Sequence, residues 1–143
     1  MPIPEFREDG YLPEGLHQAI EAEVLFRFGS PGRRRRSLAL RLRHWLQLVR
    51  AVGSHRFFLD GSFVTAKRTP ADLDAVVLLP VTFEQQLQGG SEAAIELDEL
   101  LTTRKAGDLF AVEDQDDWDQ WLEFFTRTRE ADGRRKGIVE ILL

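Results

Sequence analysis

The chain has 143 residues, room for one hydrophobic core and too little for two substantial ones. With 24 acidic against 19 basic residues it carries a net charge of −5, which argues against general attraction to nucleic acid while leaving local basic patches open. The absence of cysteine excludes a disulfide framework, a thiolate metal site and a cysteine nucleophile. With no apolar signal core in residues 1–11 and no run long enough to span a membrane, a cytoplasmic protein is expected.

Residues 1–14 read as an extended arm, with Pro2, Pro4 and Pro13 and a turn at Asp9-Gly10. Helix periodicity follows at Leu16, Ile20, Val24 and Phe28 and stops at Gly29-Ser30-Pro31-Gly32. A longer helix is expected from about Arg34 to Val52, with the stripe Leu38, Leu42, Trp45 or Leu46, Val49 and Val52, ended by Gly53. The period then changes. His55 to Leu59 reads as a short strand, Asp60-Gly61-Ser62 as a turn, and Phe63 to Pro70 as loop or one helical turn. Asp72 to Leu79 reads as a strand closed by Pro80. Thr82 and Ser91 are helix caps on either side of Gly89-Gly90, and Gly107 ends the second of these helices. Asp108 to Glu113 is a third strand, and Asp114 caps a helix carrying Trp118, Trp121 and Phe125. After a turn at Asp132-Gly133, Gly137 to Leu143 is the last strand.

The expected order is therefore α-α-β-β-α-β-α-β. It forms one α/β (α+β) domain over residues 1–143: an arm and two helices over 1–53, then a small mixed sheet over 54–143 with helices mainly on one face.

The chemistry of the chain is concentrated around Asp72 and Asp74. Two acids one residue apart on a strand point to the same face. Carboxylates about 6 Å apart at an effective dielectric of ~20 repel by roughly 3 kcal/mol. A divalent cation between them removes that repulsion. Nine residues upstream lies Gly61-Ser62, a turn able to present N–H groups and a hydroxyl to a phosphate. A third acid from an adjacent strand would complete such a site. Asp108, opening the next strand, is the first candidate and Glu140, on the last strand, the second.

The run Gly61-Ser62, nine residues, Asp72-Leu73-Asp74 resembles the signature of the polymerase-beta-type nucleotidyltransferase superfamily, over about residues 55 to 113. Most of the chain is also similar to an uncharacterised bacterial family of small nucleotidyltransferase-like proteins. That second resemblance rests on Gly10-Tyr11-Leu12-Pro13-Glu14-Gly15-Leu16-His17, Arg27-Phe28-Gly29, Phe58 to Phe63 and Lys136-Gly137-Ile138-Val139. The superfamily resemblance implies a minimal nucleotidyltransferase fold. It also implies transfer of a nucleoside monophosphate from a nucleoside triphosphate to a protein or RNA hydroxyl, with two magnesium ions.

By that resemblance Asp72, Asp74 and Asp108 would be catalytic and bind metal, while Gly61 and Ser62 would hold the terminal phosphates. Many minimal members carry an arginine-glycine pair where this chain has Val64-Thr65-Ala66-Lys67, so Lys67, or Arg68, would supply the positive charge. Asp60 adds an acid beside the phosphate site. The alternative function is a catalytically silent binding module on the same fold, such as an antitoxin-like or regulatory partner in a bacterial two-gene system.

Arg33 to Arg36 read either as a solvated helix start or, because cations there oppose the helix dipole, as a contact for an anionic partner. Asp114, Asp116, Asp117 and Asp119 are explained by capping. His17, His44 and His55 have no metal-ligand spacing.

Overall fold

The computed structural model describes residues 3–103, 108–128 and 130–143. Its elements are β1 (Gly15–Ala19), α1 (Glu21–Phe28), α2 (Arg33–Ala51), β2 (Arg56–Asp60), a 3-10 turn (Ser62–Val64), β3 (Asp74–Leu78), α3 (Phe83–Gln88), α4 (Glu92–Thr103), β4 (Asp108–Val112), α5 (Gln115–Thr126) and β5 (Gly137–Ile141). The strands form one mixed sheet in the order β1-β5-β2-β3-β4. The outer pairs β1/β5 and β3/β4 are parallel, and the inner pairs β5/β2 and β2/β3 are antiparallel. The molecule is thus α+β, as expected.

Alternating side chains send the two sheet faces to different partners. Phe57, Leu59, Ala75, Val77, Leu109, Val139 and Ile141 face the large core built with α1, α2, α3 and α4. Phe58, Val76 and Ile138 face a smaller cluster under α5 with Trp118, Trp121, Leu122 and Phe125. The aromatic residues of α5 are core, packed edge-on against the sheet: Phe58 and Trp118 have centroids 5.0 Å apart at 78°.

Helix α2 is the backbone of the large core. Leu38, Leu42, Trp45, Leu46 and Val49 are fully buried along one stripe. Each such burial contributes about 1.5–3 kcal/mol. That outweighs the few tenths to about 1 kcal/mol by which each cation in the first turn opposes the macrodipole. Gly32 at the N-cap supplies no side-chain bond, so packing rather than capping decides where this helix forms. By contrast α5 starts on a true cap, Asp114 Oδ1 accepting from the Asp117 N–H at 2.8 Å, and Ser91 Oγ accepts from the Ala94 N–H at 3.3 Å at the start of α4.

Two expectations are corrected. The helix expected to begin at Leu16 begins at Glu21, because Gly15–Ala19 is a strand paired in full register with β5. Its partner lies 122 positions away, out of reach of any local pattern. Thr82 occupies an N-cap position but makes no capping bond. Its hydroxyl accepts from Gln86 Nε2 at 3.0 Å, and a turn bond from the Phe83 N–H to the Pro80 carbonyl starts α3. Gly107, expected to end α4, lies outside the described residues. Among the described residues no helix is long and apolar enough to cross a membrane.

Candidate active site

At one end of the sheet a row of acidic positions crosses three strands. Asp60 ends β2 directly opposite Asp74, which opens β3, and Asp74 is in register with Asp108, which opens β4. The side chain of Asp108 lies outside the described residues. Asp72 precedes β3 rather than lying in it, because β2 ends at Asp60 and has no residue left to pair with it. Leu73 is buried between the two half-exposed acids, so Asp72 and Asp74 both line the same cleft, of about 770 Å³. Lys67, Arg127 and Lys136 line it too. Its volume lies within the ~300–1,000 Å³ usual for small-ligand sites.

The glycine-serine turn is knitted to the acidic segment. Gly61 has φ +88°, and an added Cβ would stand 3.0 Å from the Asp74 nitrogen and 3.1 Å from the Asp72 oxygen. Only glycine fits there without displacing backbone. The Phe63 N–H donates to the Asp72 carbonyl at 3.0 Å. Ser62 is the hub of the turn. Its N–H and its hydroxyl both donate to Asp72 Oδ1, at 2.7 and 2.6 Å. The hydroxyl oxygen accepts from the N–H groups of Ala71 and Asp72, at 2.8 and 3.1 Å. One donor and two acceptors exhaust the capacity of a hydroxyl. Ser62 therefore fixes the Asp72 carboxylate and closes the nine-residue loop between turn and strand.

That loop is clamped from behind by the arginine run. The buried guanidinium of Arg35 donates to four carbonyls, those of Phe28, Phe63, Thr65 and Lys67, at 2.6–3.1 Å. Arg34 donates to the carbonyls of Pro70, at 2.9 Å, and Ala71, at 2.5 Å. Two of the four arginines are thus internal clamps. Arg33 and Arg36 are exposed, and Arg33 lines a separate shallow hollow with Arg68.

The acid beside the glycine has a dedicated counter-ion. Both Asp60 oxygens accept from Lys136 Nζ, at 2.7 and 2.9 Å, with the lysine side chain 11% and the aspartate 2% exposed. Burial nevertheless pushes the Asp60 carboxyl up to about 6, against the pull of the ammonium. Lys136 also lies 5.7 Å from the ring centre of Tyr11, on the N-terminal arm that forms another wall of the cleft.

Glu140 is not part of this arrangement. It stands level with Phe58 on β5, and its carboxylate accepts two bonds from Arg56, each of 2.8 Å. Lys67 lines the cleft, with its backbone held by Arg35. Lys136, Arg35 and Phe124, whose exposed ring lines the cleft, are absent from the sequence-based site. Lys136 carries one faint signal, as the last of three consecutive cations, Arg134-Arg135-Lys136, directly before an apolar strand.

A family model described as a family of unknown function, DUF6932, matches residues 4–142. The chain belongs to that family. No curated protein and no solved structure matches this DUF6932 member, so the cleft's own chemistry carries the functional argument. Its carboxylate oxygens are hard ligands of the kind magnesium prefers. Among the described residues no three acids or histidines form a ready metal cage. Magnesium commonly takes one or two protein carboxylates and completes its shell with substrate phosphates and water. Asp72 and Asp74, on one wall of an open cleft, fit that mode.

Proposed function

We propose that this DUF6932 protein is a metal-dependent nucleotidyltransferase of polymerase-beta type. It would move a nucleoside monophosphate from a nucleoside triphosphate to a protein or RNA hydroxyl and release pyrophosphate. The observation that carries the reading is the lateral row of Asp60, Asp74 and Asp108 at the mouth of the sheet, with Asp72 pinned beside it by Ser62. Asp72 and Asp74, with Asp108 as third acid, would hold two magnesium ions. Such ions, when bound, align the triphosphate and activate the attacking hydroxyl. Ser62 orients Asp72. Gly61 lets the chain pass close enough for that bond. Lys67 and Arg127 bring positive charge to the cleft wall for the phosphates, and Lys136 holds Asp60 from below.

Asp72→Asn and Asp74→Asn are each expected to abolish magnesium-dependent nucleotide binding in a titration while leaving the melting temperature within a few degrees of the parent. Parent-like nucleotide affinity in both variants refutes the site.

One observation favours a second reading. The donors of Ser62 that the turn would offer to a phosphate are already engaged by Asp72. A silent binding module on the same fold, such as an antitoxin-like or regulatory partner in a bacterial two-gene system, needs no free phosphate donor there. Co-purification of a stoichiometric partner, with no turnover of any labelled triphosphate, would decide for it.

A further inference from the structure

We propose that the ring of Phe124 is the platform on which the base of a bound nucleotide stacks. This inference rests on the reading of the cleft as a nucleotide site and specifies which part of that ligand the α5 wall takes.

Helix α5 turns Trp118, Trp121, Leu122 and Phe125 toward the sheet. Phe124 falls off that stripe and is 65% exposed. A solitary exposed phenylalanine needs no explanation on a protein surface. Phe124 differs in two respects. It is held, near-perpendicular to two neighbouring rings: Phe125 at 5.2 Å and 79°, and Trp121 at 5.8 Å and 85°. Those rings are themselves stacked together at 5.5 Å and 22°, so Phe124 stands on a rigid base. It also lines the cleft that contains Asp72, Asp74 and Ser62. An aromatic ring fixed before the ligand arrives loses little rotamer freedom on binding.

The lining of the cleft matches the chemistry of a nucleoside triphosphate: it includes carboxylates for metal, the cations Lys67 and Arg127 for phosphate, and an apolar ring. The triphosphate is highly charged, and the base has flat faces that stack on aromatic side chains with little preference for base identity. Arg127 follows close on Phe124 in the chain, with its guanidinium held to Glu123 at 3.2 Å.

The test compares magnesium-dependent binding of ATP, GTP, CTP and UTP with that of inorganic tripolyphosphate, which has no base. It uses the full chain, Phe124→Ala and Phe124→Trp, with thermal melting to verify that all three are folded. Phe124→Ala is expected to weaken each bound nucleotide by roughly tenfold and to leave tripolyphosphate binding unchanged, while Phe124→Trp retains nucleotide affinity. Equal nucleotide affinity in Phe124→Ala and the parent overturns the stacking role, and so does a parallel loss of both ligand types. A parent that binds tripolyphosphate no less tightly than any nucleotide also overturns it, while leaving the phosphate end of the cleft standing. A parent that binds neither refutes the nucleotide site itself, and the stacking role with it.

Discussion

Lys136 Nζ lies 2.7 and 2.9 Å from the two carboxylate oxygens of Asp60, 76 positions earlier in the chain. The contact ties the residue before β5 to the end of β2, beneath the glycine-serine turn. Taking two charges out of water is expensive, and their attraction returns the cost only if the pair stays intact. Lys136→Met should therefore destabilise the protein at neutral pH by about 3–5 kcal/mol. The double variant Asp60→Asn/Lys136→Met should recover a large part of that loss. Urea midpoints for both singles and the double give the coupling directly.

The same pair sets a pH dependence. Asp60 titrates near 6 in the folded protein, above its ordinary value of 3.8. Below the ordinary value the carboxyl is neutral in both states and burial carries no charge penalty. As pH rises through the folded value the native state must ionise a buried group, so stability is lost with rising pH. Other carboxylates, such as Asp9 and Glu123, are held below their usual range by neighbouring arginines and act in the opposite direction. The useful quantity is the stability of the parent relative to Asp60→Asn. It should fall between about pH 4 and pH 7, by at most about 3 kcal/mol. A difference that stays flat in urea titrations across that window would show that Asp60 is ionised throughout.

Gly61 and Gly53 allow a controlled comparison. Both have positive φ, but a Cβ at Gly53 meets nothing within 4 Å, whereas one at Gly61 meets the backbone of Asp72 and Asp74. Gly53→Ala should cost about 1–2 kcal/mol, the conformational term alone. Gly61→Ala should cost more, because strand β3 must move, and should also weaken magnesium-dependent nucleotide binding. Melting temperatures and a nucleotide titration on both variants check this.

Arg35 predicts a local opening. Arg35→Met leaves four carbonyls without their donor. A loss of about 3 kcal/mol or more is expected, with new protease cleavage between residues 62 and 71 under native conditions. The exposed neighbour provides the control: Arg36→Met should stay within about 0.5 kcal/mol of the parent.

What the sequence made legible follows the range of the forces involved. Local patterns located β2, β3, β4, α5 and the long helix, because alternation, helical spacing and caps such as Asp114 and Ser91 act within a few residues. The Gly61-Ser62 turn and the acids Asp72 and Asp74 were visible for the same reason. Three features could not be read this way. Strand β1 exists through its pairing with β5, and Leu16 fits a helical stripe as well as a strand. The roles of Arg34 and Arg35 depend on a loop some 30 positions downstream bringing its carbonyls to them. Lys136 acquires its role only when the last strand is laid beside β2.

Strand β1 joins its neighbour across 122 positions, and the arm that leads into it supplies Gly10 and Tyr11 to the cleft. Contacts of such long sequence separation require a large loop to close before they yield any stabilisation. The pairing partner of β1 is present only once residues 137–141 are laid beside β2. This edge of the sheet therefore closes after the local β2–β3 pairing that sets Asp60 opposite Asp74, and the cleft wall next to it is completed last.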